Sequence, residues 1–246
     1  IKSCPLKTPV LYCAVGPDKL KENYEASKTF GFKSIGDFQK EETLYNPAWI
    51  VGGGTSLATT HSWIKSGDVY AIKSVDYLLS KDIVPRFSVH IDPKPTEADL
   101  ITIHPDVTYL LSTQSDPSVF ERLRDHARVY LVPTHSSGLW QPTEGYWFAG
   151  TSATAGALLF MREAGYREIN FAGVDLSFTD ERTHINRDSK HMRQNNEFVT
   201  IDGYRTTTVM WGAAMELVRN IKVIGRTSKI KIHGNGLFSH LMKKST

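Results

Sequence analysis

The chain has 246 residues, with 29 Lys and Arg against 26 Asp and Glu and a formal net charge of +3. Hydrophobic residues at 40% and charged residues at 22% exclude a disordered or collagen-like chain and fit one large domain, or one domain with an appendage, around a buried core. The small charge excess, with no block of five like charges, gives no footing for nucleic-acid binding, and the best apolar run ends at Met161, far short of the roughly 18 residues that span a bilayer. Cys4 and Cys13 are the only cysteines and share one short stretch, which points to unpaired thiols in a reducing, cytoplasmic setting. The chain opens at Ile1 with no charged n-region and apolar core, so no secretory leader is expected and an upstream piece is.

Short apolar runs rich in Val, Ile, Tyr and Phe alternate with stretches of helical period, the pattern of βα units around a mostly parallel sheet. In chain order this predicts a strand over 10–15 and a helix over 19–29, within a small N-terminal βα unit that occupies 1–47 and ends at Asn46-Pro47. Residues 48–246 are predicted to form one α/β domain, a Rossmann-like, mostly parallel sheet flanked by helices. Its strands are expected over 49–51, 69–72, 87–91, 107–111 and 129–132, with helices over 56–65, 75–80 and 118–126. A loop over 133–148, carrying Pro133, Gly138, Pro142 and Gly145, precedes a helix over 152–164 and a strand over 169–172. A second, polar loop runs from Asp175 to Tyr204 and holds His184 and His191. Loops of this length are active-site lids, binding loops or surface insertions. The remainder predicts a helix over 206–220, strands over 222–224 and 230–232, and a short helix over 237–242. Val209, Ala213, Leu217 and Ile221 recur every four residues, so one face of the 206–220 helix belongs to the core.

The strongest local signal is Ile50-Val51-Gly52-Gly53-Gly54-Thr55-Ser56-Leu57, an apolar strand running into three glycines and a helix start. Residues without a Cβ let a ligand approach the backbone, and free N–H groups at a helix start favour an anion, so a phosphate is expected at this turn; the alternative is a tight strand-to-helix connection. It matches neither the dinucleotide nor the P-loop fingerprint. Two further strand ends stop on carboxylates, Asp92 before Pro93 and Asp175 after Gly173-Val174. Ligands of open parallel sheets bind beyond the carboxyl ends of strands, so the turn, Asp92 and Asp175 are expected to face one crevice, although each aspartate alone also reads as a cap or an Asx-turn. Thr151 and Ser152 open the helix that leads to the Asp175 strand, either as cap or as hydroxyls for a base, ribose or phosphate. No HExxH or close pair of metal-ligand spacing occurs among the nine histidines. His184 and His191 lie where a neutral imidazole would serve as general base.

Taken together, Gly-x-Gly-x-Ser-Leu after a strand, His90-Ile91-Asp92-Pro93, the 150–155 segment Gly-Thr-Ser-Ala-Thr-Ala and the stretch from Gly173 to His184 resemble the motility accessory factor family. That family shares its central domain with the archaeal 6-hydroxymethylpterin diphosphokinases (MptE-like). The resemblance covers about 49–184, and Asp175-Leu176-Ser177-Phe178-Thr179-Asp180 with Thr183-His184 is its sharpest piece. The order of motifs is more distantly similar to bacterial CMP-sialic-acid sialyltransferases. Thr55 stands where the family usually has Pro, Ser74 near where an Asn often contacts the nucleotide, and the two tyrosines that sialyltransferases use on the leaving phosphate are absent, with Ser177 and Thr183 in the corresponding neighbourhood.

The resemblance implies a nucleotide-dependent transferase. In the leading reading it is a glycosyltransferase that uses a nucleotide sugar, a CMP-linked nonulosonate, to modify a protein or glycan hydroxyl. Gly52, Gly53, Gly54, Thr55, Ser56, Ser74, Asp92, Thr151 and Ser152 would hold the nucleotide, Asp175 would shape the site, and His184, with His191 in reserve, would act as base. Lys73 or Arg187 would support the departing phosphate. In the alternative, ATP donates a diphosphate to a hydroxymethylpterin-like alcohol, with Asp92 and Asp175 holding Mg²⁺. A third reading is a nucleotide-binding module without catalysis.

Overall fold

The computed structural model describes residues 15–135, 148–149, 152–185 and 197–245. The expected strand over 10–15, save its last residue, most of the 133–148 loop, Cys4, Cys13, Thr151, Arg187 and His191 lie outside them.

Helix α1, Pro17–Ser27, starts on a proline at its first position, where the missing N–H costs nothing, and buries Leu20, Asn23, Tyr24 and Ser27 on one side. A two-residue strand β1, Lys33–Ser34, leads into α2, Ile35–Glu41, which the sequence pattern did not predict. Its signal is a capping box: Ser34 Oγ accepts from the Asp37 N–H while the Asp37 carboxylate accepts from the Ser34 N–H. Next come β2, Ala48–Gly52; α3, Leu57–Thr60; β3, Asp68–Ile72; α4, Val75–Leu79; and β4, Phe87–His90. The helix expected over 56–65 is one α-turn followed by a 3₁₀ turn, His61–Trp63, and another 3₁₀ helix spans Pro95–Leu100. The chain continues through β5, Thr108–Ser112; α5, Pro117–Arg122; β6, Val129–Val132; and the short parallel pair β7, Thr134–His135, with β8, Phe148–Ala149. Helix α6, Ala153–Glu163, precedes β9, Glu168–Ala172.

The region expected to be one long loop up to Tyr204 contains strand β10, Phe198–Ile201, paired antiparallel with β11, Tyr204–Thr207. The two-residue turn is Asp202-Gly203, both with positive φ (50° and 86°), the sequence and geometry of a tight hairpin. The strand expected over 222–224 is instead the end of α7, Thr208–Ile224. Val209, expected on the core face, is exposed, whereas Ala213, Leu217 and Ile221 are buried as expected and Ile224, three residues on, extends that face with Val223 outside it, so Val-Ile residues here serve a helix. Strand β12, Lys229–Ile232, and α8, Leu237–Ser245, complete the described chain.

The eight-stranded sheet has the order β1-β6-β5-β4-β3-β2-β9-β12, and every neighbouring pair is parallel. The described part of the first 47 residues therefore contributes its strand to the far edge of this same sheet, beside β6. Alternation along the strands feeds two layers of helices. Ile50, Tyr70, Phe87 and Phe171 pack with α2, α6 and α7, while Trp49, Val51, Val69 and Ala71 pack with α3 and α4 on the opposite face. From β2 the chain winds outward to β6, then returns to place β9 on the other side of β2. The order reverses between β2 and β9, and such a switch point opens a crevice at the carboxyl ends of its strands.

The amino ends close on a buried charge network instead. Asp68, 1% exposed, accepts from the Arg86 Nη1–H at 2.7 Å, from the Tyr45 N–H at 2.7 Å and from the Tyr166 hydroxyl, and Arg86 Nη2 reaches Glu42 at 2.6 Å. Removing Asp68 leaves the partly buried Arg86 to Glu42 alone and takes the acceptor from the Tyr45 N–H and the Tyr166 hydroxyl. Asp68→Ala is expected to lower unfolding free energy by about 3–5 kcal/mol in urea titration; a loss below about 1 kcal/mol would show the network to be dispensable.

Candidate functional site

The switch point brings together the turn after β2, the segment after β9 and the segment after β12. Gly54 N donates to Gly173 O at 2.7 Å. Asp175, 4% exposed, turns its carboxylate onto the head of α3: Ser56 N donates to Oδ2 at 2.8 Å, the Ser56 hydroxyl donates to Oδ1, and the Thr55 hydroxyl lies 3.3 Å from Oδ2. A buried carboxylate requires donors on its lone pairs, and these are drawn from the turn itself. The backbone carbonyl of Asp175 accepts from Phe238 N at 3.2 Å, and Ser177 Oγ accepts from Leu237 N at 3.2 Å, which fixes the start of α8 to the same segment.

This packing explains the glycines and corrects the expectation attached to them. A Cβ on Gly52 would lie 2.5 Å from Gly173 O; on Gly54, 2.6 Å from Asp175 Oδ2; on Gly53, 2.8 Å from Lys73 O and 3.0 Å from the His184 ring. The space left by the missing side chains is filled by protein, the neighbouring strand ends and His184, rather than held open for a ligand. Gly173 has φ 63° and Gly236 would place a Cβ 2.5 Å from Asp175 Cα, so the same constraint operates from the other two strands. The Gly234-Asn235-Gly236 turn after β12 carries the same glycine signal as the 52–54 turn, and sequence reading passed over it.

His184 is brought to the turn. Ile185 N donates to Gly53 O at 2.8 Å, pinning the backbone, and His184 Nδ1 lies 2.8 Å from Thr183 Oγ1. A Nδ1–H donated to that hydroxyl selects the tautomer whose Nε2 accepts a proton. Thr55 Oγ1 is 2.8 Å from Thr179 Oγ1, and a cavity of about 550 Å³ lies beside them, lined by Thr55, Ala58, the 179–182 segment with Asp180, Glu181 and Arg182, and Ile185. The Thr55 N–H has no acceptor among the described residues. Arg205, stacked 4.5 Å from the Phe198 ring centroid and 5.6 Å from that of Phe178, ties the β10–β11 hairpin to the segment carrying Thr179, and its backbone carbonyl accepts from Phe178 N at 2.8 Å.

The other expected residues are placed as follows. Ser74, buried, donates its hydroxyl to Val51 O at 2.8 Å and so braces β3 against the turn strand. Ser152 caps α6 by accepting from Ala155 N, the plain capping role. Asp92 stands after β4, apart from Asp175, with its Oδ2 3.9 Å from Lys73 Nζ. Asp175's oxygens serve the turn and Asp92 faces Lys73, and the strands that end on them, β9 and β4, stand three places apart in the sheet. No cluster of three or more His, Cys, Asp or Glu suited to a metal occurs among the described residues.

Lys73 follows β3 in the left-handed region, φ 58°, an uncommon conformation for a side chain with a Cβ. Its ammonium is 3.2 Å from Glu97 Oε2, whose other oxygen meets His90 Nδ1 at 2.9 Å, and His90 Nε2 meets Ser88 Oγ at 2.8 Å. Sequence reading missed Glu97, which lies in the Pro95–Leu100 3₁₀ helix, a stretch with no motif. Burial pushes the Glu97 carboxyl up, but the His90 hydrogen bond and the Lys73 ammonium outweigh it and hold it below its ordinary 4.5. A depressed carboxyl stabilises the fold above its unfolded value, and that share is lost as pH falls below 4.5 through the lowered native value. Glu97→Gln is therefore expected to flatten the acid limb of a stability–pH profile, and an unchanged limb would contradict this anchoring. Gly173→Ala, which combines a left-handed φ with a Cβ 2.4 Å from Gly52 O, is expected to be among the more damaging single-methyl changes. Chemical unfolding should report a loss of about 2–5 kcal/mol, against less than about 1 kcal/mol if the strand ends can separate freely.

No helix among the described residues is long and apolar enough to cross a membrane. A comparison with curated proteins returns no match. The family model described as 6-hydroxymethylpterin diphosphokinase MptE-like matches residues 18–181, more than half of the chain and inclusive of the 52–56 turn, Lys73, Asp92 and Asp175. The chain belongs to the MptE-like family.

Proposed function

We propose that the chain is a nucleotide-dependent transferase whose donor lies across the switch-point crevice, with its phosphate at Thr55 and the end of β3. The observation that supports this reading is the lodging of the His184 ring against Gly53, beside the turn that the motility-factor resemblance assigns to the nucleotide. Lys73 supplies the nearby cation, and Asp175 acts by holding the turn in shape. As an acceptor hydroxyl attacks, His184 Nε2 takes its proton, while the charge gathering on the departing phosphate is met by Lys73 and the Thr55 N–H.

The donor we favour is a CMP-linked sugar and the acceptor a protein or glycan hydroxyl, because the Gly-x-Gly-x-Ser-Leu turn and the 175–184 stretch follow the motility-factor pattern. Of the two strand-end aspartates, Asp175 is engaged by Ser56 of the turn and Asp92 lies beside Lys73, an arrangement we read as favouring the metal-free donor. The second reading, diphosphate transfer from ATP to a hydroxymethylpterin-like alcohol, is favoured by the family's description; there Asp92 alone among the two aspartates would contact Mg²⁺. Calorimetric titration separates the two. CMP is expected to bind without Mg²⁺ and to be indifferent to Asp92→Asn, whereas Mg²⁺-dependent ATP binding lost in Asp92→Asn would move the assignment to the diphosphokinase. In either case His184→Ala should retain nucleotide binding and lower turnover by about 10²–10⁴-fold. Full turnover in that variant would remove His184 from the chemistry, and absence of binding by any nucleotide would end the reading altogether.

A further inference from the structure

Two carboxylates carried by the segment after β4 converge on one ammonium. Lys73 Nζ stands 3.2 Å from Glu97 Oε2 and 3.9 Å from Asp92 Oδ2. Glu97 is 2% exposed, and its other oxygen is taken by His90 Nδ1 at 2.9 Å, with His90 Nε2 set in turn against Ser88 Oγ at 2.8 Å. A buried chain of polar groups thus aims Glu97 Oε2 at a fixed point. Asp92 is held as well: its Oδ1 accepts from the Lys94 N–H at 3.2 Å, and its Oδ2 is the oxygen nearest the lysine. The two carboxylates belong to the carboxyl end of the sheet, and the lysine adjoins the glycine turn, since its backbone carbonyl is the atom that a Cβ on Gly53 would meet at 2.8 Å.

Two carboxylates from separate turns, aimed at one point beside the turn to which we assign the donor phosphate, are what a divalent cation uses. Mg²⁺ needs only one or two carboxylates and takes its other ligands from water and phosphate oxygens. Here a cation attached to the chain stands at that point. We infer that Lys73 is a built-in substitute for a divalent cation, so that this end of the crevice meets phosphate charge with an ammonium and takes up a metal only when the ammonium is removed. On this inference Glu97 and Asp92 do not suit Mg²⁺ as they stand, because an ion bound to them would lie within a few ångströms of the ammonium, and like charges repel strongly in a partly buried setting. That counts against the Mg²⁺-dependent second reading. The left-handed backbone at Lys73, φ 58°, accords with the role, since side chains held in an uncommon conformation concentrate at functional positions. The use of the charge on a phosphate rests on the proposed transferase reading; the metal preference is a property of the three side chains alone.

Titration with Mn²⁺ in the absence of nucleotide, followed by electron paramagnetic resonance of the free ion and by thermal melting, tests it. Lys73→Asn removes the charge, tolerates the left-handed backbone and keeps both carboxylates. This variant is expected to bind one Mn²⁺ at least about tenfold more tightly than the unmodified chain, and to melt higher with Mn²⁺ than with a chelator. The unmodified chain and Lys73→Arg, which both carry a cation, should show neither change. Lys73→Gly, which relaxes the backbone, should match Lys73→Asn and so exclude a contribution from the asparagine oxygen. Adding Glu97→Gln to Lys73→Asn should abolish the gain. Equal Mn²⁺ affinity with and without Lys73 would reduce the contact to an ordinary ion pair and overturn the inference. Saturable Mn²⁺ binding by the unmodified chain that is lost in Asp92→Asn or Glu97→Gln would overturn it too, and that arm stands even if the Lys73 variants do not fold. Because no nucleotide is present, these outcomes are independent of whether the transferase reading survives its own titration.

Discussion

One buried carboxylate holds three strand ends together. Asp175 receives the Ser56 N–H and hydroxyl from the turn after β2, while its carbonyl receives the first turn of the helix after β12. A charge so enclosed is tolerable only with its lone pairs satisfied, so the positions of its donors are tightly set. The glycines follow from it: Gly54 and Gly236 pass within a Cβ's reach of Asp175, Gly234 within reach of Ser56, and Gly52 and Gly173 exclude each other's side chains. The shape of the crevice is thus set by backbone contact, and few side chains are free to vary its floor.

Two kinds of polar cluster then divide the sheet by its ends. At the amino edge Asp68, Arg86, Glu42 and Tyr166 are mutually saturated and stabilise the barrel of contacts between β3, β4 and the 42–45 segment. At the carboxyl edge Lys73 remains partly exposed on a left-handed backbone, its single charge shared between Glu97 and Asp92. The left-handed backbone at Lys73 thus falls at the end of the sheet where doubly wound folds place their ligands.

Much of this was legible in the amino-acid sequence. The core strands are continuous apolar runs because parallel strands are buried on both faces, and the coincidence of Gly52, Asp92 and Asp175 at strand ends follows from that reading alone. What failed did so for local physical reasons. Val223 and Ile224 have strand-like composition, but the preceding four-residue period carries them into α7. Asp202-Gly203 announces a hairpin, yet it sits in polar sequence without alternation, and the Ser34 capping box precedes a helix only seven residues long. The partner of a carboxylate cannot be read from a linear motif: whether Asp175 faces a metal, a base or its own backbone is decided 119 residues away, at Ser56.

The family-matching stretch ends at 181, but the crevice does not. Beyond it β12 flanks β9, α7 and α8 cover the Phe171 side of the sheet, and the hairpin's Asp202 is bound by His240 at 3.2 Å and Lys244 at 2.9 Å. An excised fragment bounded by the family match would expose Phe171 and leave the Asp175 carbonyl without its donor. The part of the sequence that carries the family pattern thus leans on β12, α7 and α8, and a cut at its boundary would remove contacts that the crevice itself uses.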